Sequence, residues 1–299
     1  SCMLRRNDFF ELNAPALPLK GERMGKFFFD TKKKKFMPKI ASGELRLQAF
    51  GVTEPTTGSD TTQLKTRAAR DGDEYVINGQ KVWTSRALHS DLMLLLARTT
   101  APDQVKRRSD GLSTFLVDMR AARGNGMDIN PIDAMINHNT TEIFFDNLRI
   151  PADSLIGEEG KGFYYLLHGL NPERILVAVE AIGLGRAALR KAVQYAGDRE
   201  VFGRQIGQNQ AIQHPLASSW SELEAANLMA YRAAELYDKG QECGAESNAA
   251  KYLAGEAGFT ACERAIMTHG GMGYAKEFHV ERFMREMMIA RIAPVSREM

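Results

Sequence analysis

The stretch "GLNPERILVAVEAIG", residues 169–183, sets one carboxylate, Glu173, directly behind Asn171 and Pro172. A positioned carboxylate can accept a proton as a general base. The same residues also spell a helix start, with Asn171 as N-cap, Pro172 at the first helical position and Glu173 facing the helix dipole. Four other stretches carry chemistry-bearing side chains. "FGVTEPTTGSD" (50–60) combines hydroxyls with Gly58-Ser59, which suits either a close backbone approach to a ligand or a plain turn between strands. Trp83, Thr84 and Ser85 offer a flat aromatic face and two hydroxyls, or a core tryptophan. "DREVFGRQIGQNQAIQ" (198–213) offers Arg199, Phe202 and Gln210, or an exposed turn with surface arginines. Gly270-Gly271 lets backbone approach a ligand closely, or stops a helix.

The elements that must position these residues fall into three textures. Residues 1–44 mix Pro, Gly and a lysine run, "TKKKKF" at 31–36, that reads as a solvated helix face; one or two short helices are expected there. Residues 45–155 are β-rich. "EYVINGQKVWTS" (74–85) reads as two extended runs about an Asn78-Gly79 hairpin turn, and "DLMLLLART", "GLSTFLVDM" and "TEIFFDNLRIP" as short strands. The polar stretch 99–111 reads as a mobile loop. Together these strands suggest a compact barrel or sandwich. Residues 156–299 turn to helical periodicity, with stops at Gly240 and at Gly270-Gly271, enough for a bundle of four long helices. The fold class expected is therefore α+β: a middle β-barrel or sandwich followed by a C-terminal four-helix bundle.

Composition narrows the function. Of 299 residues 44% are hydrophobic, ample for a buried core, and the formal net charge of +2 gives no strong pull toward nucleic acid or membrane. Three dispersed cysteines and six scattered histidines form no disulfide framework and no metal motif. There is no apolar run of the roughly 18 residues a transmembrane helix needs. A cytoplasmic location is expected, or the mitochondrial matrix in a eukaryote.

Four segments in this order, "FGVTEPTTGSD", "INGQKVWTS", "DREVFGRQIGQNQAIQ" and "THGGMGYAKEFHVERFMRE", resemble the acyl-CoA dehydrogenase family over residues 33–293. The resemblance implies FAD, a middle β-domain, a helical bundle and usually a homodimer or homotetramer. It implies that Phe50, Val52, Thr53, Gly58 and Ser59 lie near flavin or acyl-CoA. Trp83 would stack on the isoalloxazine, with Thr84 beside it and the Ser85 hydroxyl at N5. Arg199, Phe202 and Gln210 would serve the flavin of a neighbouring subunit, and Gly270 and Gly271 would approach its pyrophosphate. Where the family often has a glutamine three residues before this glycine pair, the chain has Met267.

The resemblance also implies a reaction: the α-proton leaves to a carboxylate and the β-hydrogen to flavin N5, with electrons passing to an electron-transfer flavoprotein. Most members carry the base after the last helix, in a segment like "IYEGT". Pro294 stands there in "RIAPVSREM", and Glu298 comes four residues late. The isovaleryl and long-chain types place the base where this chain has Glu173, followed by Arg174 near the CoA; Asn171 joins the substrate side, as does Ser59. Glu180 is the fallback, expected to pack on the bundle. The family usually has a helical domain of about 120 residues ahead of "FMPKIASGE" (36–44), so residues 1–44 read as its remnant, and a further helix beyond the point where Met299 stands. Alternatives are an acyl-CoA oxidase, and a non-catalytic, even nucleic-acid-binding, protein on the same scaffold. The near-neutral charge and the Glu173-Arg174 pair argue against the last.

Overall fold

Apolar runs between residues 47 and 156 become strands because their side chains have cover to turn toward. The computed structural model describes residues 23–136 and 139–296; residues 1–22 and Glu298, on which some expectations fell, lie outside them. Helix α1 (Arg23–Ala41) leads into β1 (Leu47–Gly51), β2 (Arg67–Asp71), β3 (Glu74–Ser85), β4 (Leu92–Arg98) and β5 (Leu112–Asp118). A short α2 (Met119–Ala122) precedes β6 (Met127–Pro131), β7 (Thr140–Pro151) and β8 (Leu155–Ile156). All eight strands form one mixed sheet in the order β6-β7-β3-β2-β4-β5-β8, with β1 pairing parallel to β4.

Every residue of β4 is buried. Met93, Leu95 and Ala97 join a core with Tyr75, Ile77, Phe115 and Ile143, while Leu92 and Leu94 turn to a second core with Ile40, Leu45 and Leu116. A strand covered on both faces reads as a continuous apolar run, which is what "DLMLLLART" is.

Asn78-Gly79 is not a hairpin turn. β3 runs through it unbroken, and the pairing with β7 shifts register between Ile77 and Gly79. Gly79 has φ +145, and a Cβ there would stand 2.7 Å from the Thr66 Cα, so glycine is needed for a close strand crossing. Asn78 is occupied across the sheet, its Oδ1 accepting from the Asn147 N–H at 2.9 Å. The tight turn lies six residues earlier, where Asp71 pairs with Glu74 around Gly72 at φ +60.

The helical part comprises α3 (Gly162–Asp198), a small hairpin of β9 (Glu200–Val201) and β10 (Arg204–Gln205), α4 (Gln210–Asp238), α5 (Gly244–His269), α6 (Gly271–Tyr274) and α7 (Val280–Ile292). Its core is rich in alanine, with Leu189, Leu223, Phe283 and Met287 between the small residues. Small side chains let backbones approach: a Cβ on Gly185 would lie 3.0 Å from the Gly258 Cα. α4 ends before Gly240 and α5 before Gly270, both at positive φ, as the glycine stops require. The chain divides into two compact units, Ser1–Gly169 and Leu170–Met299, the division falling inside α3. No helix among the described residues is long and apolar enough to cross a membrane.

Candidate active site

In the first unit the site residues gather around the end of β3. Phe50, next to last in β1, is half-buried beside the Ile40–Leu92 core, and Val52 packs against Leu64, Leu96 and Leu112. The loop that follows lies along β3: the Val82 N–H donates to the Thr53 carbonyl at 2.9 Å, and Glu54 and Thr57 exchange backbone hydrogen bonds. Gly58 and Ser59 are exposed at the loop's outer side. Gly58 has no positive φ, and a Cβ there would meet nothing within 4 Å. The chain itself gives no reason for glycine at that place; an approaching group would.

One turn of sheet away, the register of β3 against β7 slips between Lys81 and Thr84. Trp83 occupies the bulge at φ +61, a left-handed conformation that is strained for a bulky residue. The bulge turns the indole outward, 58% exposed, so Trp83 is no core tryptophan. Ser85 is exposed next to it, while Thr84 points in, buried, its carbonyl accepting from the Thr141 hydroxyl at 2.8 Å.

Sequence reading missed the groups beneath this surface. Lys81 is wholly buried, its ammonium 3.0 Å from the Glu54 carboxylate and 2.9 Å from the Val52 carbonyl. Glu54 also accepts from the amides of Lys65 (2.7 Å) and Thr66 (2.9 Å). Burial alone would raise the Glu54 carboxyl; Lys81 and these amides outweigh it and hold it below the ordinary carboxylate range. Burial pulls the Lys81 ammonium down to about 8, with Glu54 pushing back. Arg98, also buried, donates to the carbonyls of Thr62 (2.7 Å), Leu64 (3.1 Å) and Arg108 (3.2 Å), tying the 99–111 loop to the strand. Local sequence gave no signal for these; a lysine such as Lys81, between Gln80 and Val82, reads as exposed.

In the second unit Glu173 does not begin a helix. α3 starts at Gly162, so Pro172 and Glu173 lie about three turns inside it. Asn171 is not an N-cap; its side-chain oxygen accepts from Arg174 at 3.3 Å. Glu173 and Arg174 are half-buried neighbours. Burial lowers the Arg174 guanidinium from its ordinary value, and the charge of Glu173 pushes it back up. Glu180, expected to pack on the bundle, is exposed.

Arg199 follows α3, and its carbonyl accepts from the Ile206 N–H at 2.9 Å, closing the hairpin base. Phe202 and Gly203 form its two-residue turn at φ +54 and +76, the signature of a type I′ turn. The Phe202 side chain at the tip is fully exposed, and Gln210 opens α4 in solvent. The end of α5 lies beside this turn. His269 stacks on Tyr195 with ring centroids 4.3 Å apart, four residues before Arg199. Gly270 sits at φ +58, ψ −133, open to glycine alone. Gly271 has no positive φ, and a Cβ there would touch nothing within 4 Å, the same pattern as Gly58. In the first unit the exposed Trp83 indole, the Ser85 hydroxyl and the unforced Gly58 suit a flat, hydrogen-bonding group such as a flavin ring; in the second, the exposed Arg199 and the unforced Gly271 suit an anionic one.

Comparison with known proteins agrees. Residues 49–148 match the acyl-CoA dehydrogenase middle domain, and residues 160–294 the acyl-CoA dehydrogenase C-terminal domain. The acyl-CoA dehydrogenase FadE12 of Mycobacterium tuberculosis is 40% identical over 285 residues, covering 94% of this chain and 72% of that protein. The crystal structure of an acyl-CoA dehydrogenase from Geobacillus kaustophilus superposes with a TM-score of 0.86 at 32% identity, over 90% of this chain and 70% of that one. A structure of PigA with FAD and proline gives 0.82 at 28% identity, over 90% and 69%. The fold is thus that of a flavin-dependent oxidoreductase with a mixed β-sheet followed by helices. The chain belongs to the acyl-CoA dehydrogenase family, the FAD flavoproteins that oxidise acyl-CoA.

Proposed function

We propose that this chain catalyses α,β-dehydrogenation of an acyl-CoA thioester, with Glu173 as the base that takes the α-proton. The observation that carries the reading is the place of Glu173. Three turns inside α3, half-buried beside Arg174, it neither caps a helix nor meets a helix N-terminal dipole. Pro294 leaves the segment after α7 without a carboxylate at the place most of the family uses.

Bound FAD supplies the two-electron acceptor for the hydrogen leaving Cβ. Trp83 and Ser85 give it an aromatic face and a hydroxyl, and the loop of Thr53, Gly58 and Ser59 gives it polar backbone. Arg199, Phe202, Gln210, Gly270 and Gly271 hold the cofactor of a neighbouring subunit. Asn171 and Arg174 meet the CoA moiety, and electrons pass onward to an electron-transfer flavoprotein.

Glu173→Gln keeps size and helix while removing the proton acceptor. FAD content and thermal stability are expected to stay at the parent's level. Bleaching of the flavin by a panel of acyl-CoAs, mixed anaerobically, is expected to slow by about 10²–10⁴-fold. Bleaching at the parent's rate would remove Glu173 from the reaction. Peroxide release on aerobic turnover, in place of reduction of electron-transfer flavoprotein, would make the enzyme an oxidase.

A further inference from the structure

We infer that Lys81 and Arg98 are positioning residues: two buried cations that clamp the loop of residues 52–64 at its two ends and so hold its exposed middle against the flavin. The inference rests on the proposed cofactor face of residues 53–59.

The geometry assigns each cation an end. Lys81 donates to the Val52 carbonyl and pairs with Glu54, where the chain leaves β1. Arg98 donates to the Thr62 and Leu64 carbonyls, where the chain turns toward β2. Glu54 links the ends, because its second oxygen takes the Lys65 N–H while the first takes Thr66 and Lys81. Pro55, Thr56, Gly58, Ser59 and Asp60, between the clamps, are all exposed. The middle of the loop is therefore exposed apart from Thr57, which is buried and paired with Glu54, and its ends are fixed.

Lys81 also stands two residues before Trp83 on the same strand. Its neighbour Val82 donates to the Thr53 carbonyl. One short piece of β3 thus holds the loop and presents the indole, so the spacing of loop and indole is set by the Lys81 contacts. Stability alone is a poor reason for this arrangement. A buried ion pair is often matched or bettered by apolar residues of similar volume, whereas it does fix a unique geometry. Lys81 is surrounded by such residues: the Gly51 site beside its stem is also lined by Met93 and Leu95.

The test is the double variant Lys81→Met/Glu54→Gln, isolated with FAD and compared with the parent holoprotein. A positioning role predicts a folded double variant with an FAD dissociation constant raised at least 10-fold and a shifted flavin midpoint potential. A folded double variant with the parent's FAD affinity and potential would overturn the inference. Should the variant fail to fold, the parent decides. Lys81 faces Glu54 directly and Arg98 acts on the same carboxylate, and burial brings its ammonium to about 8. FAD affinity is then expected to fall as the pH rises through 8, and a flat affinity from pH 7 to 9 would overturn the inference. A parent that takes up no FAD at any pH would sink the cofactor reading and this inference together; the other failures leave the cofactor reading standing.

Discussion

Trp83 shows most sharply how a single residue departs from what the chain's own packing wants. A non-glycine residue held in a sparsely populated backbone region costs about 1–3 kcal/mol. Here the strained residue also leaves a large aromatic face in water. Neither feature helps the isolated fold, and both suit a stacked cofactor. Trp83→Ala with Ser85→Ala, compared without FAD, is therefore expected to unfold at the temperature of the FAD-free parent, yet to lose FAD on gel filtration. Full retention of flavin absorbance in that variant would show that the indole and hydroxyl do not hold it.

At the scale of elements, glycines with different neighbours should behave differently. Gly79 carries φ +145 and lies against the Thr66 backbone across the sheet. Alanine there meets both strain and overlap, so Gly79→Ala is expected to destabilise the β-sheet unit by about 1–3 kcal/mol, read as a lowered urea midpoint. Gly58 has ordinary φ and open space, so Gly58→Ala is expected to leave that midpoint unchanged in the FAD-free protein and to weaken FAD binding instead. Equal effects of the two substitutions on stability would remove the case for a ligand at Gly58. Both glycines stand out in the sequence, but the reason for each lies in a neighbouring strand or in its absence. Asn78-Gly79 carries ideal hairpin chemistry, and β7 overrides it by pairing along the whole of β3.

For the whole molecule, the expectation of more than one chain rests on the β9–β10 hairpin. Its type I′ turn presents Phe202 entirely to solvent beside Arg199. The family resemblance implies that a neighbouring subunit covers this ring. Arg199→Ala with Phe202→Ala should leave the chain folded by circular dichroism. It should weaken self-association in sedimentation velocity and lower FAD content in parallel. A parent chain that sediments as a monomer while fully loaded with FAD would contradict a shared site.

The sequence by itself determined the alternation of textures, the apolar strands, and the glycine stops at Gly240 and Gly270, because each rests on side-chain periodicity or on a local backbone need. It also carried the family, through motifs that the matched domains contain. Tertiary structure decided where Glu173 stands. Asn171-Pro172-Glu173 is sound start-of-helix chemistry, but the preceding residues fold as helix too, because Phe163 and Leu166 find cover against Leu64, Leu96 and Leu112. Burying that apolar face outweighs the proline's missing N–H and carries α3 back to Gly162. Tertiary structure likewise turned Lys81 inward. Its partner Glu54 lies 27 residues earlier, and only the folded sheet brings a carboxylate and a backbone carbonyl to a lysine that would otherwise have to stay in water.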